Sequence, residues 1–266
     1  MKLTGGDARA TIAGCKCADT RYVERVKISV IVPAFNEEKL LGASLAEIKS
    51  AAKVFETPGW GFELIVCDNN STDRTGEIAR AAGATVVFEP VNQIGRARNA
   101  GAAAATGGWL LFVDADSHPS AGLFADVKKQ ILSGKCLGGG STLVLDEKNF
   151  TGSFITGLWN GVSRCLRYMA GSFIFVETAA FRRIGGFSNK LFAAEELDLS
   201  KRLKQLARET GRSMIILHRH PLKTSARKMK LYTTRELLGF FARTILNHQR
   251  TLASPEEAHL WYDGRR

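Results

Sequence analysis

No apolar stretch in these 266 residues is long enough to cross a bilayer. The longest uncharged runs, residues 99–113 and 149–163, reach about 15 residues and carry Gly, Thr and Asn, whereas a spanning helix takes about 20 apolar residues; buried helix and strand are expected there. The first 27 residues also lack the apolar core of a secretory signal, so a soluble, cytoplasmic chain is expected rather than an exported one. Cysteine is sparse and odd in number: Cys15, Cys17, Cys67, Cys136 and Cys165 suit reduced, packed thiols better than a disulfide framework. No zinc-finger or RNP-type signature is present, which argues against nucleic acid as a partner. No G-x-G-x-x-G follows the first strand, where Pro33-Ala-Phe-Asn36 stands instead, and this excludes a nicotinamide-binding Rossmann enzyme. Repeats and low-complexity linkers are absent too, and 45% hydrophobic with 24% charged residues rules out a disordered or fibrous protein.

What is present is an uneven charge. The net +11 is concentrated in Lys201 to Arg266, with 15 basic and 5 acidic residues, while the first 200 positions nearly balance at 22 against 21. Such a patch suits a solvated face, a membrane surface or a negatively charged substrate. Within it an amphipathic helix is expected around Leu231 to Leu252, with Leu237, Leu238, Phe241, Ile245 and Leu252 on one side and Arg235, Arg243 and Arg250 among the charges. Packing onto the sheet and peripheral contact with the inner face of a membrane are both open to it.

Residues 1–26 show no sustained periodicity and are expected as a loose N-terminal extension, with one domain over residues 27–266. From Ile28 to Pro33 a β-branched, nearly continuous apolar run predicts a strand covered on both faces. A helix from Glu37 to Val54, a strand from Glu63 to Val66, a helix entered through Asp73, a strand from Thr85 to Phe88, a helix over residues 100–105 and a strand from Trp109 to Val113 follow. The later chain predicts a strand at 137–145, a helix at 150–168, a strand at 172–177, a helix from Glu195 and a strand at 213–217. This alternation predicts an α/β fold with a mainly parallel central sheet flanked by helices, and such sheets bind ligands outside the carboxyl ends of their strands.

The polar residues at those ends are Asn36 and Glu37, Asp68, and Asp114-Ala115-Asp116. Two carboxylates one residue apart, leaving an apolar strand, offer hard oxygen ligands to Mg²⁺ or Mn²⁺, a cation that commonly completes its sphere with substrate phosphates. A diphosphate is the natural partner. Farther on, Arg227 within Thr224-Ser-Ala-Arg-Lys228 is suited to bidentate contact with phosphate oxygens, and a solvated basic loop is the alternative.

The blocks Ile28-Ser-Val-Ile-Val-Pro-Ala-Phe-Asn-Glu-Glu38, Cys67-Asp-Asn-Asn-Ser-Thr-Asp-Arg-Thr75, Gly95-Arg-Ala-Arg-Asn-Ala-Gly101 and Phe112-Val-Asp-Ala-Asp116 come in the order and approximate spacing of a family 2 glycosyltransferase, which the chain resembles. The resemblance covers about residues 28–120. Later, Gly185-Gly-Phe187 and Glu195-Glu-Leu-Asp-Leu199 look like that family's acceptor-side segment. It implies a GT-A, Rossmann-like fold, with a nucleotide-sugar-binding half over residues 27–120 and an acceptor-side half over 121–266. It also implies a metal-dependent transfer from a nucleotide-diphosphate sugar to a hydroxyl acceptor, whether glycan, lipid-linked or small molecule, with inversion. By the same resemblance Pro33, Phe35 and Glu37 lie near the nucleoside, Asp68 accepts from the base, Arg98 faces base or phosphates, Asp114 sits near ribose and metal, and Asp116 ligates the metal. His220 would add a third ligand. Glu195 and Glu196 are the candidates for the base that takes the acceptor proton, with Glu196 in the usual place, where the family mostly carries Asp. Two other readings share the fold: a polyprenyl-phosphate sugar synthase, whose phosphate acceptor needs no base, and a nucleotide-binding module without turnover.

Overall fold

The computed structural model describes residues 26–146, 150–192 and 194–225. The amphipathic segment from Leu231, Arg227, and the N-terminal extension up to residue 25 lie outside the described residues.

Eight strands form one sheet in the order β3-β2-β1-β4-β7-β6-β8-β5. They are β1 (Val26–Ala34), β2 (Trp60–Asp68), β3 (Thr85–Phe88), β4 (Trp109–Val113), β5 (Ser117–His118), β6 (Cys136–Leu145), β7 (Phe173–Glu177) and β8 (Ser213–Thr224). The helices are α1 (Leu41–Ala52), α2 (Thr75–Ala81), α3 (Ile94–Ala104), α4 (Ala121–Ser133), α5 (Phe150–Leu166), α6 (Thr178–Arg183) and α7 (Glu195–Glu209).

β3, β2, β1 and β4 run parallel, as β6 and β8 do, while β7 is antiparallel to both β4 and β6. The sheet is therefore mainly parallel with reversed strands inside and at one edge. Period-two alternation sends Ile28, Val30 and Val32 of β1 and Leu111 and Val113 of β4 to a core with Leu41, Leu45, Phe55 and Phe124. Ile31, Leu110 and Phe112 point the other way, to Phe181, Phe187, Leu199 and Leu203. Both faces are covered, which is why β1 is buried from Ile28 to Ala34.

The reversal of β7 positions the site. Because Val113 at the end of β4 pairs with Phe173 at the start of β7, the Asp114 N–H donates to Ser172 O at 3.2 Å. The segment leading into β7 is thus brought to the carboxyl edge of the parallel strands.

Between β7 and β8, Gly138, Gly139 and Gly140 let the strands approach closely. A Cβ on Gly139 would lie 1.8 Å from Ile215 O. Gly139→Ala is expected to destabilise by about 1–3 kcal/mol or more, the scale of overpacking, in urea unfolding. Gly157→Ala on α5, where nothing lies within 4 Å, should be neutral or stabilising. Equal effects of the two would contradict this account of the sheet.

One helix departs from the burial expected for residues 149–163. α5 turns Gly152 and Ser163 inward, with Asn160 Nδ2 donating to Leu143 O, and sets Phe154 and Leu158 in solvent.

Candidate active site

The turn after β4 carries both aspartates. The Ser117 N–H donates to Asp114 O at 3.1 Å, β5 pairs with the end of β8, and the Ser225 N–H donates to Asp116 O at 3.3 Å. The turn is held from both sides, and Asp116 is only 8% exposed.

Arg98 of α3 lies beneath this turn with 1% of its surface exposed. Its Nη2 donates to Asp114 Oδ1 at 2.9 Å and to Gly171 O at 2.9 Å, and its Nη1 donates to Glu195 Oε1 at 2.6 Å. The guanidinium also stands 5.2 Å from the centre of the Phe187 ring. Burial disfavours its charge, but Asp114 and Glu195 outweigh that and hold the guanidinium more firmly protonated than usual. Its two Nη groups thus join the exit of β4 to the first turn of α7, while its buried Nε has no hydrogen-bond partner among the described residues.

Ala194, at φ 56°, turns the chain into α7, whose first turn gathers Glu195, Glu196 and Asp198. Negative charge there is favoured by the helix dipole. Glu195 is 4% exposed, and its carboxyl is raised above the usual range because burial outweighs the pull of Arg98. Glu196 is half-buried, and burial together with the neighbouring Glu195 charge pushes its carboxyl up to about 8. Asp198 is bound within its own helix by Arg202, at 2.6 Å.

On the donor side, Pro33 and Glu37 are buried and Phe35 is half-buried at the end of β1. The loop after β1 is sewn to the loop after β2. The Glu37 N–H donates to Thr75 Oγ1 at 2.8 Å, the Glu38 N–H to Asp73 Oδ2, and the Thr72 N–H to Asn36 Oδ1. Asp68 Oδ1 accepts from the Ser71 N–H at 3.0 Å, an Asx-type turn, and Asp73 Oδ1 accepts from the Thr75 N–H at the start of α2. Pro33, Phe35, Glu37, Asp68, Asp114 and Asp116 thus share the carboxyl edge of β1, β2 and β4.

His220 does not join them. Its Nδ1 lies 2.9 Å from Asp126 Oδ2 of α4, beside Gly122. Among the described residues, no three His, Cys, Asp or Glu side chains come together to hold a metal ion. Asp114 and Asp116 offer carboxylate oxygens of the kind that Mg²⁺ or Mn²⁺ takes alongside phosphate and water, with Asp114 Oδ1 already engaged by Arg98.

Sequence reasoning missed the clamps behind the site. Asn99, beside Arg98, donates from Nδ2 to Phe187 O and accepts at Oδ1 from the Phe187 N–H. Gln93 donates from Nε2 to Asn189 O and Leu191 O, while its own N–H is held by Asn69 Oδ1. The signal was there: amide side chains at the start of α3 and beside Arg98 within it, next to a run of Gly and Ala.

Residues 29–152 match the model of "Glycosyl transferase family 2". An uncharacterized glycosyltransferase, Mb0553, of Mycobacterium bovis is 40% identical over 95 residues, 36% of this chain and 39% of that protein. The chain therefore spans about two fifths of the length of these curated relatives. In fold, it is similar to the mannosyltransferase PcManGT from Pyrobaculum calidifontis in complex with GDP-Man and Mn²⁺, with TM-score 0.60 and 20% identity over 89% of this chain and 70% of that one. It is also similar to S. aureus TarS 1-349 in complex with UDP-GlcNAc, with TM-score 0.59 and 20% identity over 88% of this chain and 69% of that one. The ordered blocks, the family match and the shared architecture agree: residues 29–152 match glycosyl transferase family 2, and the chain carries them on a GT-A fold.

Proposed function

We propose that the chain is a metal-dependent glycosyltransferase that moves a sugar from a nucleotide-diphosphate donor to a hydroxyl acceptor with inversion. One observation carries the reading: the buried Arg98 guanidinium ties Asp114 at the exit of β4 to Glu195 at the start of α7. Glu196 follows Glu195 in the same helical turn and feels the charges of Arg98 and Asp114, which supports reading the donor-side and acceptor-side carboxylates as one site.

Pro33, Phe35, Glu37 and Asp68 hold the nucleoside at the ends of β1 and β2. Asp116, with Asp114, holds Mn²⁺ or Mg²⁺, which when bound neutralises charge on the departing diphosphate. Glu196 takes the proton of the acceptor hydroxyl as its oxygen attacks the anomeric carbon from the face opposite the leaving group. Glu195 and Arg98 are positioning residues that fix α7 against β4. PcManGT with GDP-Man and TarS with UDP-GlcNAc are bound to donors of the class proposed here.

A thermal-shift panel of UDP- and GDP-sugars with and without Mn²⁺ tests the donor side, because a ligand that binds the native state raises its melting temperature. Asp116→Asn is expected to abolish the Mn²⁺-dependent part of the shift. An unchanged Mn²⁺-dependent shift in that variant contradicts the metal assignment. The anomeric configuration of the product, followed by NMR, decides between inversion and retention.

A further inference from the structure

We infer that α5 is a docking face for an anionic lipid surface, seated through Phe154, Leu158, Val162 and Leu166. These four side chains recur every fourth residue, form one ridge, and are 68%, 64%, 38% and 54% exposed. At 1.5 Å per residue the ridge runs about 18 Å along the helix. Toward the sheet, Gly152 and Ser163 are buried, Ile155 and Trp159 are half-buried, and Asn160 makes two hydrogen bonds with the backbone of Leu143. The helix meets β6 partly through polar groups and carries a second apolar ridge outward, which a helix whose only task is to cover a sheet does not need.

Charge selects the occupant. α5 contains no acidic residue. Arg164 and Arg167 are exposed at its C-terminal end, and Lys204 of α7 donates to Leu166 O there. An apolar ridge with a cationic flank is the pattern of a helix lying in the headgroup region of an anionic bilayer. Residues 226–266 are a worse match, because their 8 basic and 4 acidic residues would bring like charge to the same arginines. Among the described residues no helix is long and apolar enough to cross a membrane, so the contact is peripheral.

The test uses the full chain with vesicles of phosphatidylcholine alone or mixed with phosphatidylglycerol. Binding is expected only to the mixed vesicles, to weaken in high salt, and to fall roughly 10- to 100-fold in Phe154→Ser/Leu158→Ser, since apolar burial and charge act together. Both positions are exposed, so an unchanged melting temperature should accompany that loss. Cys165 supplies a second measurement: it is exposed on α5, whereas Cys67 and Cys136 are buried. With Cys15→Ser and Cys17→Ser in place, an environment-sensitive dye on Cys165 should shift to the blue when mixed vesicles are added. Wild-type binding by the double serine variant, a dye that does not respond, a dye already shielded in the free monomer by residues 226–266, or shielding that follows protein concentration through a second copy would each overturn the proposal.

Discussion

Arg98→Met is expected to destabilise the protein by about 3–5 kcal/mol, the scale of removing one partner from a buried ion pair. Methionine fills much of the same volume, so the loss comes from what it leaves behind. Asp114 Oδ1, Glu195 Oε1 and Gly171 O all lose their donor at once, two of them carboxylates, of which Glu195 is buried and Asp114 half-buried. Urea unfolding measures it, and a loss under about 1 kcal/mol would mean that the guanidinium merely fills space. Arg98→Met/Glu195→Gln should recover part of the loss, because the second change removes a stranded charge; the non-additivity separates the ion pair from packing. Arg98→Lys keeps a charge but not the planar fork that reaches two carboxylates and a carbonyl, and should fall between. Activity should drop in all three, because α7 is no longer fixed against β4.

That bridge marks where the sequence stops being legible. β3 and β4 fall at the residues expected of them, because each is a short apolar run between punctuating residues; β4 is buried between β1 and β7, while β3 is an edge strand that leaves Thr85 and Phe88 exposed. β8 runs seven residues past the strand expected to end at Leu217. Pro221 looks like a stop, yet it sits at the register shift between Ser141 and Leu143 of β6, where a missing N–H does little harm. α4 carries its own start and stop signals, Ser120 accepting from the Leu123 N–H and Gly134 at φ 64°. The donor-side carboxylates were legible because strand ends in a parallel sheet converge by topology. Whether Arg98 meets ligand or protein was not, because Gly171, Phe187 and Glu195 reach it from 73 to 97 residues away. The opposite facing of α5 escaped for a related reason: an apolar count does not reveal which side of a helix meets the sheet.

Glu196→Gln is expected to lower kcat about 10²- to 10⁴-fold while leaving donor-induced thermal stabilisation near wild type, the range for loss of a general base. Glutamine keeps the shape and removes the proton-accepting charge. The pH dependence makes the assignment sharper. Burial and the Glu195 charge raise the Glu196 carboxyl to about 8, so in the free wild-type enzyme kcat/KM should climb with pH up to that value. Stability should move the other way. The unfolded chain releases this proton near the ordinary value of 4.5 and the folded chain near 8, so folding is progressively disfavoured across that interval. Glu196→Gln should therefore be more stable than wild type at pH 9 and little different at pH 4, and its residual activity should lose the rising limb. Glu196→Asp keeps a carboxylate on a shorter arm and should retain more turnover than the glutamine variant. If Glu196→Gln turns over at the wild-type rate while Glu195→Gln does not, the base is the buried neighbour, and Arg98 then holds the reacting group rather than its support.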